Sequence, residues 1–330
     1  MQQRWIWQNN QWTEFYWDNN ALQPLLRECH KRIGLLQGKQ SVSANSDDQA
    51  LDTLLQNLLA SSAIEGEELN ASSVRSSLAR HLGISEAEPY PVSDRSEGLA
   101  ELLMDALTNL DSPMTQERVC YWQKLLFPES ELSITQKIRV GQLRGPEPMQ
   151  VVSGRLDRQK VHFEAPPRDG LESQLQRFCD WFNQDANCQD ADPLLRAATA
   201  HLWFVTLHPF DDGNGRLTRA ITDMALAQAD AKSVRLFAMS VATLNKRSEY
   251  YNALETAQWY RDHERGSDIT EWCQWFLDTL LTSINNAIDQ IDRTIAKARF
   301  WQTFRDTPLS AEQRKVLNRL LDGGSKGFEH

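Results

Sequence analysis

The twelve residues from His208 to Arg219 (H-P-F-D-D-G-N-G-R-L-T-R) gather one imidazole, a carboxylate before a glycine, two glycines around an asparagine, and two arginines. Each type has a use in handling a nucleoside triphosphate. Gly213 and Gly215 let backbone N–H groups approach a phosphate closely. With Asn214 they open a helix, whose N-terminus favours anions. Arg216 and Arg219 stand three apart on that helix, so both can point at one polyphosphate. Asp212 can hold a magnesium ion, which takes few protein oxygens and shares the phosphates. His208 lies just before the loop, where a base could deprotonate an attacking hydroxyl. The same string is also an ordinary turn sequence, because Asp, Asn and Gly are common between helices. Two familiar motifs are excluded: a phosphate loop needs a lysine that is absent, and an EF-hand needs an oxygen ligand where Gly213 stands.

Helical periodicity dominates the elements that must position these residues. Leu51, Leu54, Leu55, Leu58 and Leu59 form an i, i+3, i+4, i+7, i+8 stripe, and Leu99, Leu102, Leu103 and Leu107 form another. Residues 171–183 and 194–207 read as helices, the second running into His208. Leu217, Ala220, Ile221 and Met224 form the buried stripe of the helix after the loop. Arg216, Arg219 and Asp223 fall on another face, near the loop mouth. Residues 270–302 read as one long helix or a pair. The stretch from Gly141 to Pro167 breaks the pattern: Val151-Val152 and Val161-His162-Phe163 have strand character around Ser153-Gly154. At the N-terminus, Trp5, Trp7, Trp12, Trp17, Phe15 and Tyr16 crowd into residues 4–17. The spacing of Trp5 and Trp7, with Asn9-Asn10 between the aromatic runs, allows a short hairpin. Stapling of this segment onto the domain is the favoured use of its rings.

The bulk composition narrows the class. The chain has 330 residues, 41% of them hydrophobic, enough for one large domain or two smaller ones. A net charge of −10 argues against a chain-wide nucleic-acid surface. No apolar run reaches membrane-spanning length, and Met1-Gln2-Gln3-Arg4-Trp5 is not the start of a signal peptide. Five scattered cysteines without C-x-x-C spacing read as reduced thiols, so a cytoplasmic location is expected.

The twelve-residue string is similar to the signature of the Fic family (filamentation induced by cAMP), H-x-F-x-[DE]-G-N-G-R-x-x-R, at all eight specified positions. The resemblance implies a mostly α fold: a Fic-type helical bundle with a small β-hairpin flap. It also implies an enzyme, a protein adenylyltransferase that moves AMP from ATP onto a Ser, Thr or Tyr hydroxyl of a protein. On that likeness His208 is the general base and Asp212 the Mg²⁺ ligand. Gly213, Asn214, Gly215, Arg216, Leu217 and Arg219 are then nucleotide-binding, with the arginines facing the β- and γ-phosphates. Phe210 anchors the loop in the core. Gly141-Gln142-Leu143-Arg144 and Ala165-Pro166-Pro167 resemble the sequence flanking the flap, placing Val161, His162, Phe163 and Glu164 on the flap strand. Such a strand can pair with an extended target segment.

Two further likenesses accompany the main one. Ser61-Ser62-Ala63-Ile64-Glu65-Gly66 resembles the [ST]-x-x-x-E-[GN] inhibitory-helix motif of one Fic class. Read without that context, it is a helix end with Gly66 as its cap. Within it, Ser61, Glu65 and Gly66 become regulatory residues, and Glu65 would pair bidentately with Arg219. Ser248 to Leu254 resembles the family's adenine-side helix, so Tyr250 and Tyr251 would contact the base or ribose. Gln258 stands where relatives often have Asn.

The expected organisation is an N-terminal extension over residues 1–40, a Fic core over 41–265 with its inhibitory helix near 55–66, and C-terminal helices with a flexible tail over 266–330. Some similar proteins continue into a winged-helix domain, which this chain lacks or has lost; nucleic acid would enter only through it. ATP and a hydroxyl-bearing protein are the implied partners, a homodimer the implied assembly, and no membrane is involved. Competing readings are a non-catalytic nucleotide sensor, and Fic chemistry that transfers another group or removes AMP.

Overall fold

The computed structural model describes residues 4–41, 46–128, 138–153, 160–184, 192–230, 233–260, 266–305 and 307–323. Gly154 of the flap turn, Cys188 and the tail from 324 lie outside the described residues. Helices dominate what is described. In chain order they are α1 (Asn19–Gln40), α2 (Ser46–Ile64), α3 (Ala71–Leu82), α4 (Asp94–Thr108), α5 (Gln116–Leu126), α6 (Leu171–Phe182) and α7 (Pro193–Leu207). They continue as α8 (Asn214–Ala229), α9 (Met239–Asn245), α10 (Arg247–Ala257), α11 (Thr270–Thr303) and α12 (Ala311–Gly323). None of the described helices is long and apolar enough to cross a membrane. The fold is mostly α, as the periodicity indicates, and the 270–302 pattern resolves into the single helix α11.

The centre of the bundle is α7. Every residue from Leu194 to Leu207 is buried, as expected for a helix apolar on all sides. Its start is fixed by Asp192, whose side chain accepts from the Leu194 N–H, with Pro193 in the first turn. Helix α8 packs along α7 and is buried from Arg216 through Ala227. The inhibitory-motif helix α2 touches α8 and α9, and α11 supports α1, α7 and α9 from the far side. Four described cysteines are unpaired, and burial pushes the Cys29, Cys179 and Cys273 thiols up to about 12.

Two small sheets complete the fold. Strands β2 (Gln150–Ser153) and β3 (Lys160–Glu164) pair antiparallel with a bulge between Val151 and Val152, forming the expected flap. The N-terminal hairpin does not form. Residues Ile6–Gln8 make one turn of 3₁₀ helix, and β1 (Phe15–Tyr16) pairs in parallel with β4 (Ser267–Asp268). Trp5 instead bridges Trp259. An isolated two-stranded hairpin buries too little to be stable. Here the aromatic rings find better burial elsewhere: Trp12 and Phe15 pack edge-on against Trp203 of α7, with centroids at 6.1 and 5.7 Å. Stapling, and not local pairing, is what these rings do.

Candidate active site

The loop from His208 to Gly213 connects the two central helices, so both of its ends are rigid. His208 caps α7 in the left-handed region (φ 47, ψ 57), which a non-glycine residue adopts only when held there. Arg144 does the holding. Its Nε donates to the His208 carbonyl at 2.9 Å, its backbone N–H to the Pro209 carbonyl at 2.9 Å, and its Nη2 to the Pro166 carbonyl at 2.5 Å. One buried guanidinium thus ties the histidine to the base of the flap. Its sequence signal was only the flanking G-Q-L-R string. Phe210 is fully buried, and the Asn214 amide closes the turn by donating to its carbonyl and accepting from its N–H at 2.8 and 3.0 Å.

The His208 ring edges a cavity yet is otherwise enclosed by protein. Burial lowers its pKa, opposed by the Val205 carbonyl. At neutral pH the ring is uncharged. Nδ1 lies 3.2 Å from that carbonyl, which can only accept. The proton therefore sits on Nδ1, and Nε2 keeps its lone pair. This is the tautomer a base needs.

Helix α8 begins with Gly213 at φ 90. Its first internal bond runs from the Leu217 N–H to the Gly213 carbonyl, so the N–H groups of Asn214, Gly215 and Arg216 have no acceptor within the helix. They form the positive end of the helix. A Cβ at Gly215 would collide with Glu65 Oε1, so the glycine leaves the space that this carboxylate occupies. One expectation is corrected here. Leu217 is fully buried and its N–H is used inside α8, so it belongs to the core and not to a nucleotide contact. Asn214 spends its side chain on the turn, leaving only its backbone for an anion.

Both arginines are buried, and both are held by the last turn of α2 and the segment after it. Arg219 Nη2 donates to Glu65 Oε1 at 2.8 Å and to the Ser61 carbonyl at 2.7 Å, while Nε donates to Ser61 Oγ at 2.8 Å. The Glu65 contact is therefore single and not bidentate: Ser61 takes Nε and the second Nη2 donor, and Nη1 does not reach the carboxylate. Burial opposes the Arg219 charge, but Glu65, Tyr250 and Tyr251 together outweigh it and the pKa is raised. Arg219 Nη1 is buried without a partner. Gly66, at φ 83, ends α2, and the Glu67 N–H closes onto the Ser62 carbonyl at 3.1 Å. The left-handed cap at Gly66 thus brings two carboxylates to α8. The second, Glu67, was not singled out from sequence. It bonds Arg216 Nη1 at 2.7 Å and Arg95 Nη2 at 2.7 Å. The E-G-E spacing was its only signal. Arg216 also lies over the Phe127 ring at 5.1 Å.

Asp212 stands at the mouth, its side chain 54% exposed, with Oδ1 accepting from the Gly213 N–H at 2.6 Å. Among the described residues no three His, Cys, Asp or Glu side chains cluster as a metal cage. A divalent ion here would rest on Asp212 and on ligand oxygens, a donor set that suits magnesium. Asp211 points elsewhere: it accepts from the Arg139 backbone at 2.9 Å and from its guanidinium at 3.2 Å.

Asp223 is not at the loop mouth. It is buried one turn behind Arg219, where Asn57 of α2 donates to it at 2.9 Å. Burial pushes its pKa up to about 7. A carboxyl raised from 3.8 in this way binds its proton more tightly in the folded chain, so stability falls as pH rises from about 4 to about 7. Asp223→Asn is expected to stabilise the protein at pH 8, by up to ~4 kcal/mol, with the gain vanishing near pH 4. Thermal unfolding at the two pH values checks this.

His208, Glu65 and Gly215 meet the flap residues His162 and Phe163 around one cavity of about 590 Å³, with Tyr251 of α10 on its far wall. Val161 and Glu164 flank them on β3, and Phe163 is 2% exposed. Tyr251 is 37% exposed and its hydroxyl donates to the Ile64 carbonyl at 3.3 Å. Tyr250 is mostly core: it is 2% exposed and its hydroxyl lies 3.0 Å from His201 Nε2. Gln258 is buried on Thr206 at 3.2 Å.

Residues 113–226 match the model of the Fic/DOC family, and residues 5–84 match a domain of unknown function (DUF4172). The protein adenylyltransferase fic-1 of Caenorhabditis elegans is 32% identical over 110 residues, covering 32% of this chain and 20% of that protein. The protein adenylyltransferase Fic of Drosophila willistoni is 34% identical over 110 residues, covering 32% and 21%. The chain thus spans about a fifth of the length of these curated relatives. Among solved structures, a Fic family protein from Desulfovibrio desulfuricans G20 superposes with a TM-score of 0.61 at 18% identity, covering 92% of this chain and 81% of that one. A Fic domain containing signaling protein from Bacteroides thetaiotaomicron VPI-5482 gives 0.53 at 16% identity, covering 79% and 97%. These share the fold. Residues 113–226 of this chain thus form a domain of the Fic/DOC family.

Proposed function

We propose that this protein transfers AMP from ATP to a hydroxyl side chain of another protein in the presence of Mg²⁺, and that Glu65 holds the activity down. The observation that carries the reading is the fixed tautomer of His208 beside the open N-terminus of α8. A hydroxyl entering the cavity gives its proton to Nε2 as its oxygen attacks the α-phosphorus. The α–β bridging bond breaks and pyrophosphate leaves. The α8 N–H groups, Arg216 and Arg219 take up the phosphate charge once Glu65 and Glu67 yield. Mg²⁺, held by Asp212, would neutralise the phosphates.

The target lies along the flap. Beside the cavity, a shallower groove of about 520 Å³ runs past Lys160, Asn252, Glu255 and Trp259. The two share Asn252 and Glu255, so together they offer an extended track suited to a protein segment.

Transfer of label from α- but not γ-labelled ATP to protein in a lysate tests the reading. Label from neither would leave a nucleotide sensor. The sensor has no use for a tautomer-fixed base. AMP removal is a second reading, favoured by Glu65 facing the same cavity. Pre-modified protein incubated without ATP separates it. The two loop aspartates should part company: Asp212→Ala is expected to lose the Mg²⁺-stimulated rate. Asp211→Ala should keep the magnesium titration midpoint and lose about 1 kcal/mol of stability through Arg139. Equal magnesium phenotypes would move the metal assignment off Asp212.

A further inference from the structure

Trp5 to Trp7 begin the matched domain of unknown function and Arg4 directly precedes it; far in sequence from the flap, these residues seize its second strand. Trp7 Nε1 donates to the Glu164 carbonyl at 2.6 Å, and Arg4 Nη2 to the Val161 carbonyl at 3.3 Å. Between them Trp5, 4% exposed, sets its edge on Phe163 with centroids 5.5 Å apart and planes at 76°. Trp5, Phe163 and Ala165 form a small core of their own, joined at its margin by Trp7, Met149, Val151 and Val161. Trp7 packs against both this cluster and the main core.

Three of these residues, Arg4, Trp5 and Ile6, also grip the end of α10. The Ile6 N–H donates to the Gln258 carbonyl and the Tyr260 N–H to the Arg4 carbonyl, both at 2.8 Å. Trp5 meets Trp259 edge-on at 6.3 Å, and the Arg4 guanidinium lies over both rings at 4.5 and 5.5 Å. Gln8 Oε1 fixes the turn by accepting from the Arg4 and Trp5 N–H groups at 2.6 and 2.8 Å. On the opposite side, Glu255 of α10 meets His162 Nδ1 at 2.8 Å and Lys160 at 3.4 Å. The flap strand is therefore riveted to α10 from two sides, and one rivet is the N-terminal segment.

An isolated two-stranded hairpin is at best marginal in water. Among the described residues, these contacts and Arg144 at the flap base hold its height above His208. We propose that Arg4, Trp5 and Trp7 are positioning residues of the flap: they fix β3 over the cavity so that a target backbone meets a preformed edge. This rests on the reading that the flap presents the target. A preformed edge spares the target the cost of ordering it, so the segment acts on acceptor affinity and not on ATP.

Two variants remove donors while leaving the small core: Trp7→Phe, and Trp7→Phe with Arg4→Ala. Loss of one such bond should speed amide exchange of residues 160–165 about fivefold, and loss of both more than tenfold. Exchange of α7 and α8 should not change. In the Glu65→Gly background, with the His208→Ala copy of the protein as acceptor and α-labelled ATP, the acceptor KM should rise by similar factors while the ATP KM holds. Flap exchange equal to that of the unsubstituted chain overturns the proposal. So does exchange that rises equally across the bundle, or an ATP KM that rises with the acceptor KM. If the unsubstituted flap residues support no transfer at all, the function reading fails while the exchange measurement still decides the clamp.

Discussion

Glu65→Gly is expected to raise AMP transfer about 10- to 100-fold. The carboxylate sits 2.8 Å from Arg219 Nη2 and over the N-terminus of α8, so it occupies both the arginine and the space an anion would use. A hydrogen bond between charged partners is worth ~1.5–3 kcal/mol, and each 1.4 kcal/mol is tenfold. Ser61 keeps Arg219 oriented in the variant, because two of its three contacts are untouched. Glu67 still holds Arg216, which caps the gain below full release. Arg219→Ala should fall below the unsubstituted protein, since it loses the phosphate contact together with the restraint. The measurement is α-label incorporation into several candidate proteins. A Glu65→Gly protein no more active than the parent on all of them sinks the inhibitory reading and leaves Gly66 as a helix cap. Accumulation through a lost reverse reaction is distinguished by following pre-modified protein without ATP.

The second large effect is at His208. His208→Ala should cut transfer ~10²–10⁴-fold, the usual range for a lost general base, while ATP binding stays nearly intact. No phosphate contact is removed, because the anion site is built from α8 and its arginines. Burial lowers the His208 pKa from 6.5, so the active neutral form persists as pH falls past that value. The acid limb of the rate profile is therefore expected below pH 6.5, and it should vanish in the alanine variant. Transfer at the parent rate would remove His208 from the chemistry. A limb near or above pH 6.5 would contradict the enclosed ring.

Much of this molecule was legible in one dimension because its signals are local. The apolar residues of 194–207 and the stripe of Leu217, Ala220, Ile221 and Met224 specify two buried helices, and the loop between them is a run of contiguous residues. The flap was legible from β-branched pairs set among glycines and prolines. The N-terminal tryptophans were not. A spacing of two suggests a strand, but Trp5 finds its partners at Phe163 and Trp259, and nothing near Trp5 in sequence encodes that choice. Asp223 misled for a related reason. Helical phase puts it on the arginine face, yet it lies one turn deeper, where α2 covers it.

What the sequence determined by itself is a set of chemical groups carried on contiguous residues: an imidazole, a carboxylate, a glycine-rich helix start and two arginines. Tertiary structure alone decided which groups are free to act. Arg144 bends His208 into a left-handed cap, and the Val205 carbonyl sets its proton on Nδ1. Glu65 and Glu67 arrive from α2 to hold Arg219 and Arg216, and the N-terminus reaches across to hold the flap. Apart from Val205, which is local to His208, these contacts join residues some sixty to more than a hundred and fifty positions apart. Hydrophobic periodicity states which face of a helix is buried, but not which partner covers it, and burial against a particular partner is what sets charge, tautomer and access.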